Sequence, residues 1–192
     1  MLIPMVDTTY VHLEFESEDG VWSINLPFVC DQCGVCCKLE DFLVAGKVKI
    51  TPKENPQLHA KIQAIYEEMG KRWEKDSAEY DRYIMHTPCP FLENKKCSIY
   101  PVRPDGCRQF PNTPFGFQSR DCKPLNRFKQ QTAALCRGTK AKRTMHFTAD
   151  VLKQPCFSEK QYQRCIEKLR KNGITEDELK LFELLNKQLK EK

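Results

Sequence analysis

The sequence predicts an α+β protein. It reads as a small cysteine-rich, metal-organised domain with short strands and much irregular structure, followed by a C-terminal helical hairpin. Three observations carry this. Four cysteines crowd into Cys30-Asp31-Gln32-Cys33-Gly34-Val35-Cys36-Cys37. A second block holds Cys89, Cys97 and Cys107, with five prolines between 88 and 111 that forbid a long helix there. Beyond Pro155 the pattern turns helical, with two capping-box signatures. The expected boundaries are 1–155 for the metal-binding domain and 156–192 for the hairpin packed on it.

The elements follow in order. Val11, Leu13 and Phe15 alternate as one face of a strand. Ser17-Glu18-Asp19-Gly20 is a turn, and Val21–Leu26 returns as the second strand of a hairpin. After the cysteine loop, 42–45 and 48–50 are strand-like runs around Gly46. Thr51-Pro52-Lys53-Glu54 starts a helix whose stripe is Leu58, Ile62, Ile65 and Met69. Residues 71–86 read as a second helix or a long connection. The stretch from Cys89 to Cys97 turns at Glu93-Asn94-Lys95-Lys96, which would bring those two thiols together. Residues 124–135 form a helix with Leu125, Phe128 and Leu135 inward. Ser158-x-x-Gln161 and Thr175-x-x-Glu178 open two more helices, and Asn172-Gly173 ends the first of them.

Composition narrows the function. The chain has 192 residues, 40% of them hydrophobic and 30% charged, enough for a folded core. Its N-terminus lacks a signal-peptide pattern, and no apolar run is long enough to span a membrane. Eleven cysteines, an odd number, argue against a secreted disulfide framework and for thiols used as ligands in the cytoplasm. The net charge of +5 is uneven. Residues 1–30 hold five acids and no Lys or Arg, whereas 120–143 hold eight bases and one acid.

Spacing then points to chemistry. Cys30, Cys33 and Cys36 recur at two-residue intervals, so one tight turn aims successive thiolates at one centre. Gly34 lies in that turn, where a positive φ costs little. Cys36 and Cys37 are adjacent and diverge if the chain is extended, so they are expected to serve different centres. Cys165 falls on a helical stripe and reads as core. Cys122, among basic residues, reads as a spare ligand or reactive thiol. His86 reads as a solvated or capped side chain rather than a ligand, and Arg103 and Arg108 flank Cys107.

These pieces resemble the YkgJ-type cysteine-cluster family, described as zinc- or iron-chelating, which includes flagellin lysine N-methylase. The resemblance rests on Phe28-x-Cys30-x-x-Cys33-Gly34-x-Cys36-Cys37, the Thr51-to-Glu54 helix start, Cys89-Pro90-Phe91-Leu92, Cys97-Ser98-Ile99-Tyr100, Arg103-Pro104-x-x-Cys107-Arg108-x-Phe110-Pro111 and Cys136-x-Gly138. The family reads Cys-Pro-Gly at the last piece, where this chain has Arg137. The resemblance implies a ligand set of Cys30, Cys33, Cys36, Cys37, Cys89, Cys97, Cys107 and Cys136. These could hold zinc or an iron–sulfur cluster. The ferredoxin-like rhythm favours iron–sulfur, of the 4Fe–4S type.

Three readings follow. The first is a cytoplasmic metal-binding protein with a redox or metal-handling role. The second is a metal-dependent enzyme that modifies proteins, as the methylase relative does. The third is a zinc-stabilised adaptor for nucleic acid or protein. No G-x-G-x-x-G or P-loop supports a nucleotide site. The basic stretch has few aromatics, which disfavours nucleic acid; an unidentified protein partner or substrate is expected instead, and no membrane. Metal is expected to order residues 28–136.

Overall fold

The computed structural model describes residues 8–18, 20–35, 44–47, 56, 60, 64, 67, 73–75, 81–85, 91–100, 105–108, 110–111, 122–148 and 152–187. The chain divides into two units, Met1–Asp31 with Pro111–Lys192, and Gln32–Phe110.

The first unit is built on strand β1 (Thr9–Ser17), which pairs antiparallel with β2 (Gly20–Pro27). Ser17 faces Gly20 across the turn, so two residues close the hairpin, and Gly20 supplies a φ of +112°. On its other side β1 pairs with β8 (Lys140–Phe147), giving the order β2-β1-β8. Val11, Leu13 and Phe15 are buried as their alternation predicts. The opposite face is buried at Tyr10 and His12 and opens to solvent at Glu16. Tyr10 accepts a hydrogen bond from the Lys153 amide at 2.9 Å, and His12 Nδ1 meets Asn25 Oδ1 at 2.7 Å. His146 stacks on Tyr10.

Strand β8 departs from the sequence reading, which has no strand here and counts Lys140–Arg143 in the basic stretch. Its apolar signal is confined to its end, where Met145 is half-buried and Phe147 buried. What fixes it is the ladder to β1, which sets Lys142 opposite Glu14 and Lys140 opposite Glu16. Opposite charges in register favour such pairing. The acidic beginning of the chain and its basic middle therefore meet in one sheet.

The outer edge of β2 is covered. Ser23 and Cys156 exchange two backbone hydrogen bonds. The Asn186 side chain accepts from the Asn25 amide at 2.7 Å and donates to the Asn25 carbonyl at 2.6 Å, imitating a neighbouring strand. Helix α2 (Lys123–Cys136) buries Leu125, Phe128 and Leu135, and α3 (Glu159–Lys171) buries Cys165, Ile166 and Leu169. Helix α4 (Glu176–Leu185) buries Leu179, Phe182 and Leu185. Both C-terminal capping boxes are formed. Asn172-Gly173 ends α3 with the paired Gly173→Arg170 and Ile174→Leu169 bonds of a left-handed cap. α2 lies against α3, and α4 against β2.

The second unit has the sheet β3-β5-β4, from β3 (Val44–Lys47), β4 (Trp73–Lys75) and β5 (Asp81–Met85). Here the expected helix or connection over 71–86 is replaced by two strands, too short to show the alternation that identifies a strand. Strand β3 also runs through Gly46 instead of breaking at it. Pro56, Ala60, Ala64 and Glu67 are helical and exposed, the spacing of one solvent-facing side. The apolar stripe expected opposite them lies outside the described residues. Strands β6 (Leu92–Glu93) and β7 (Lys96–Cys97) form the expected hairpin. Asn94 and Lys95 both have positive φ, as a two-residue hairpin turn of this hand requires. Phe91 and Ile99 bury beside it, and Ser98 donates backbone and side-chain hydrogen bonds to the Phe91 carbonyl. In the proline-rich segment after it, the described residues form the four-residue helix α1 (Asp105–Arg108), which lies beside β3. Among the described residues, no helix is long and apolar enough to cross a membrane.

Candidate metal centre

Cys30 lies in the first unit, one residue before its first segment ends at Asp31. It is half-buried, and its neighbours on both sides are anchored. Phe28 is buried, donates its amide to the Thr9 carbonyl and accepts at its own carbonyl from the Thr8 hydroxyl, both at 2.8 Å. Its ring meets Phe128 edge-on, with centroids 5.6 Å apart. Asp31 pairs with Arg127 at 3.2 Å. Arg127 is in turn held by the buried Glu178 at 2.7 Å. Burial lowers the Arg127 pKa, but the hydrogen bonds and charges of Glu178 and Asp31 outweigh it, so the guanidinium titrates above its usual value.

The thiol loop continues in the second unit with the exposed Cys33. Gln32 and Gly34 both take positive φ, so the backbone turns sharply on either side of Cys33. Gly34 is required twice over. Its φ is +71°, and a Cβ there would lie 2.6 Å from Leu92 Cδ1 and 3.2 Å from the Lys95 carbonyl oxygen. The loop is thereby seated on the β6–β7 hairpin, which carries the half-buried Cys97 opposite Leu92. Cys107 is half-buried on α1, next to Arg108. Tyr100 and Phe110 are also half-buried.

Cys136 belongs to the first unit, buried at the end of α2. Burial raises its thiol pKa, against the opposing pull of Arg143, which hydrogen-bonds to it, and of Lys168. Among the described residues no three His, Cys, Asp or Glu side chains converge on a metal position. Cys36, Cys37 and Cys89 lie outside the described residues, as do His86 and Arg103. Cys165 is core, as its stripe predicts. Cys122 is buried at the start of α2, which removes the exposure a reactive thiol needs.

Sequence reasoning missed Asp31, Arg127 and the Phe28–Phe128 contact. Asp31 stands inside the cysteine motif and was open to notice. Arg127 was not, since 96 residues separate the pair and Arg127 reads as one base among eight.

Closely spaced thiols, on a turn seated against a thiol-bearing hairpin, are the features of a cysteine-cluster domain. The pattern of the CxxCxxCC family, the "Putative zinc- or iron-chelating domain", matches residues 29–137, and the chain belongs to that family. No solved structure matches it.

Proposed function

We propose that the chain holds an iron–sulfur cluster of the 4Fe–4S type and serves a redox or metal-handling role in the cytoplasm. Cys30, Cys33 and Cys36 would supply three thiolates from one loop, with the fourth from outside it. The observation that carries the reading is the seating of Gly34 on the β6–β7 hairpin, since it stacks one thiol-bearing turn on another. Such a cluster, when bound, supplies a one-electron site. The chain's own part is to present thiolates, to limit water through the half-buried Tyr100 and Phe110, and to offer Arg108 as a hydrogen-bond donor near anionic sulfur. The pairing of Lys142 with Glu14 at 3.8 Å, and the register of Lys140 against Glu16, take up part of the basic stretch within the fold. That supports a protein partner over nucleic acid.

Iron, sulfide and zinc analysis of reduced, anaerobically purified protein tests the reading. Iron with matching sulfide is expected. Zinc without sulfide would replace the cluster with a thiolate zinc site. Less than about half an equivalent of iron plus zinc would overturn thiolate chelation itself.

A further inference from the structure

We propose that Arg127 is a positioning residue for the thiolate loop, acting through Asp31; the inference rests on thiolate metal binding by that loop. Adjacent residues of α2 grip both sides of Cys30. Phe128 meets Phe28 two residues before it, and Arg127 pairs with Asp31 immediately after it. An isolated exposed ion pair contributes little, because ordering two long side chains offsets the attraction. This one is different because Arg127 is already fixed. Its Nε donates to Glu178 Oε1 at 2.7 Å, and Glu178 Oε2 accepts from the Thr175 amide at 2.8 Å and from Gln131 Nε2 at 3.3 Å. Glu178 is nearly inaccessible, whereas the Asp31 side chain is 45% exposed. The buried arm of the fork orders the guanidinium, so its second arm reaches Asp31 at little further entropic cost. The N-terminal cap of α4 thus connects, through Glu178 and Arg127, to the backbone between Cys30 and Cys33. Anchoring that backbone before metal arrives lowers the ordering cost of ligation.

The test is zinc(II) affinity of the reduced full-length chain, measured against a competing chelator. The variants are Asp31→Asn, Arg127→Lys, the double variant, and Lys123→Gln as a control that removes an exposed charge from α2. Anchoring predicts that D31N and R127K each weaken zinc by about three- to tenfold. It also predicts a double variant no weaker than the weaker single, and K123Q unchanged. Through-space charge alone predicts the opposite sign for D31N, because removing an acid beside a loop that gathers negative thiolates tightens binding. Wild-type affinity or tighter binding in D31N would therefore overturn the anchor while leaving metal binding intact. Failure of the wild type to bind zinc would overturn this loop as a thiolate zinc site, and the anchor with it. Should R127K fold poorly, D31N decides alone, since its partly exposed side chain is not part of the core.

Discussion

Gly34 shows how one residue without a side chain can hold a site together. Two separate costs meet at it, a left-handed backbone and a close approach to Leu92 and Lys95. The leucine tip can move, but the Lys95 carbonyl is backbone and cannot. Gly34→Ala is expected to destabilise the second unit by about 1–3 kcal/mol. Gly138 provides the comparison, because its φ is +74° but a Cβ would meet nothing within 4 Å. Gly138→Ala should cost only the backbone strain, about 1 kcal/mol. Amide exchange at Ser98, whose N–H bonds to the Phe91 carbonyl, should accelerate in G34A and stay unchanged in G138A. The turn at Gly34 was legible from C-x-x-C-G spacing; what it leans on was not, because Leu92 and Lys95 are distant in the sequence. The adjacent cysteines give a second prediction. If Cys36 continues the rhythm of Cys30 and Cys33, Cys36→Ser should release the metal they hold, and Cys37→Ser should spare it. Equal metal loss from the two variants would show that both thiolates serve one centre.

Among the elements, the C-terminal helices were the most legible, because caps, stripes and stop signals are all local. Ser158, Thr175, Asn172 and Gly173 each do what their position in the sequence implies. Strands β4, β5 and β8 were not legible, since short or charged strands exist through partners that local sequence does not contain. The same helices yield predictions of stability. Glu178 serves both the α4 cap and Arg127, so Glu178→Ala should cost about 2–5 kcal/mol in denaturant unfolding, whereas Thr175→Ala should cost about 1 kcal/mol. Alkaline pH tests the packing of α3. Tyr162 stacks on Phe157 and Phe182, and burial, with Glu183 and Glu159, pushes its phenol from 10.0 up to about 12. The folded state thus keeps a proton that the unfolded chain releases, and stability is full below pH 10 and is lost as pH rises toward 12. Burial likewise pushes the Cys165 thiol from 9.0 to about 11, which starts a similar loss nearer pH 9. Melting temperatures across this range should fall less steeply in Tyr162→Phe than in the wild type.

At the scale of the molecule, cysteine placement and apolar burial bear on how much of the chain the sequence reading expects metal to order. That reading made 28–136 one metal-ordered span, because its periodic segments are few. Yet Leu125, Phe128 and Leu135 of α2 belong to the same unit as Tyr10, Leu13, Ile24, Leu169 and Phe182, all buried. A core of that composition is stabilised by burial at about 25 cal/mol per Å² and is expected to persist without a ligand. Six of the eight expected ligands, Cys33, Cys36, Cys37, Cys89, Cys97 and Cys107, fall instead within Gln32–Phe110. The described strands of that unit are two to five residues long. Where short elements are joined by ligands, ligation energy is folding energy. Chelating the metal from the reduced full-length chain should therefore act on one unit. Amide protection should fall in the β6–β7 hairpin, Ser98 included, while β1, β2, α2, α3 and α4 keep theirs. Loss of protection in α2 along with the hairpin would restore the longer span and give Cys136 a ligand's role in ordering its helix. Unchanged protection throughout Gln32–Phe110 would show that this unit folds on side-chain packing alone, with metal added to a finished structure.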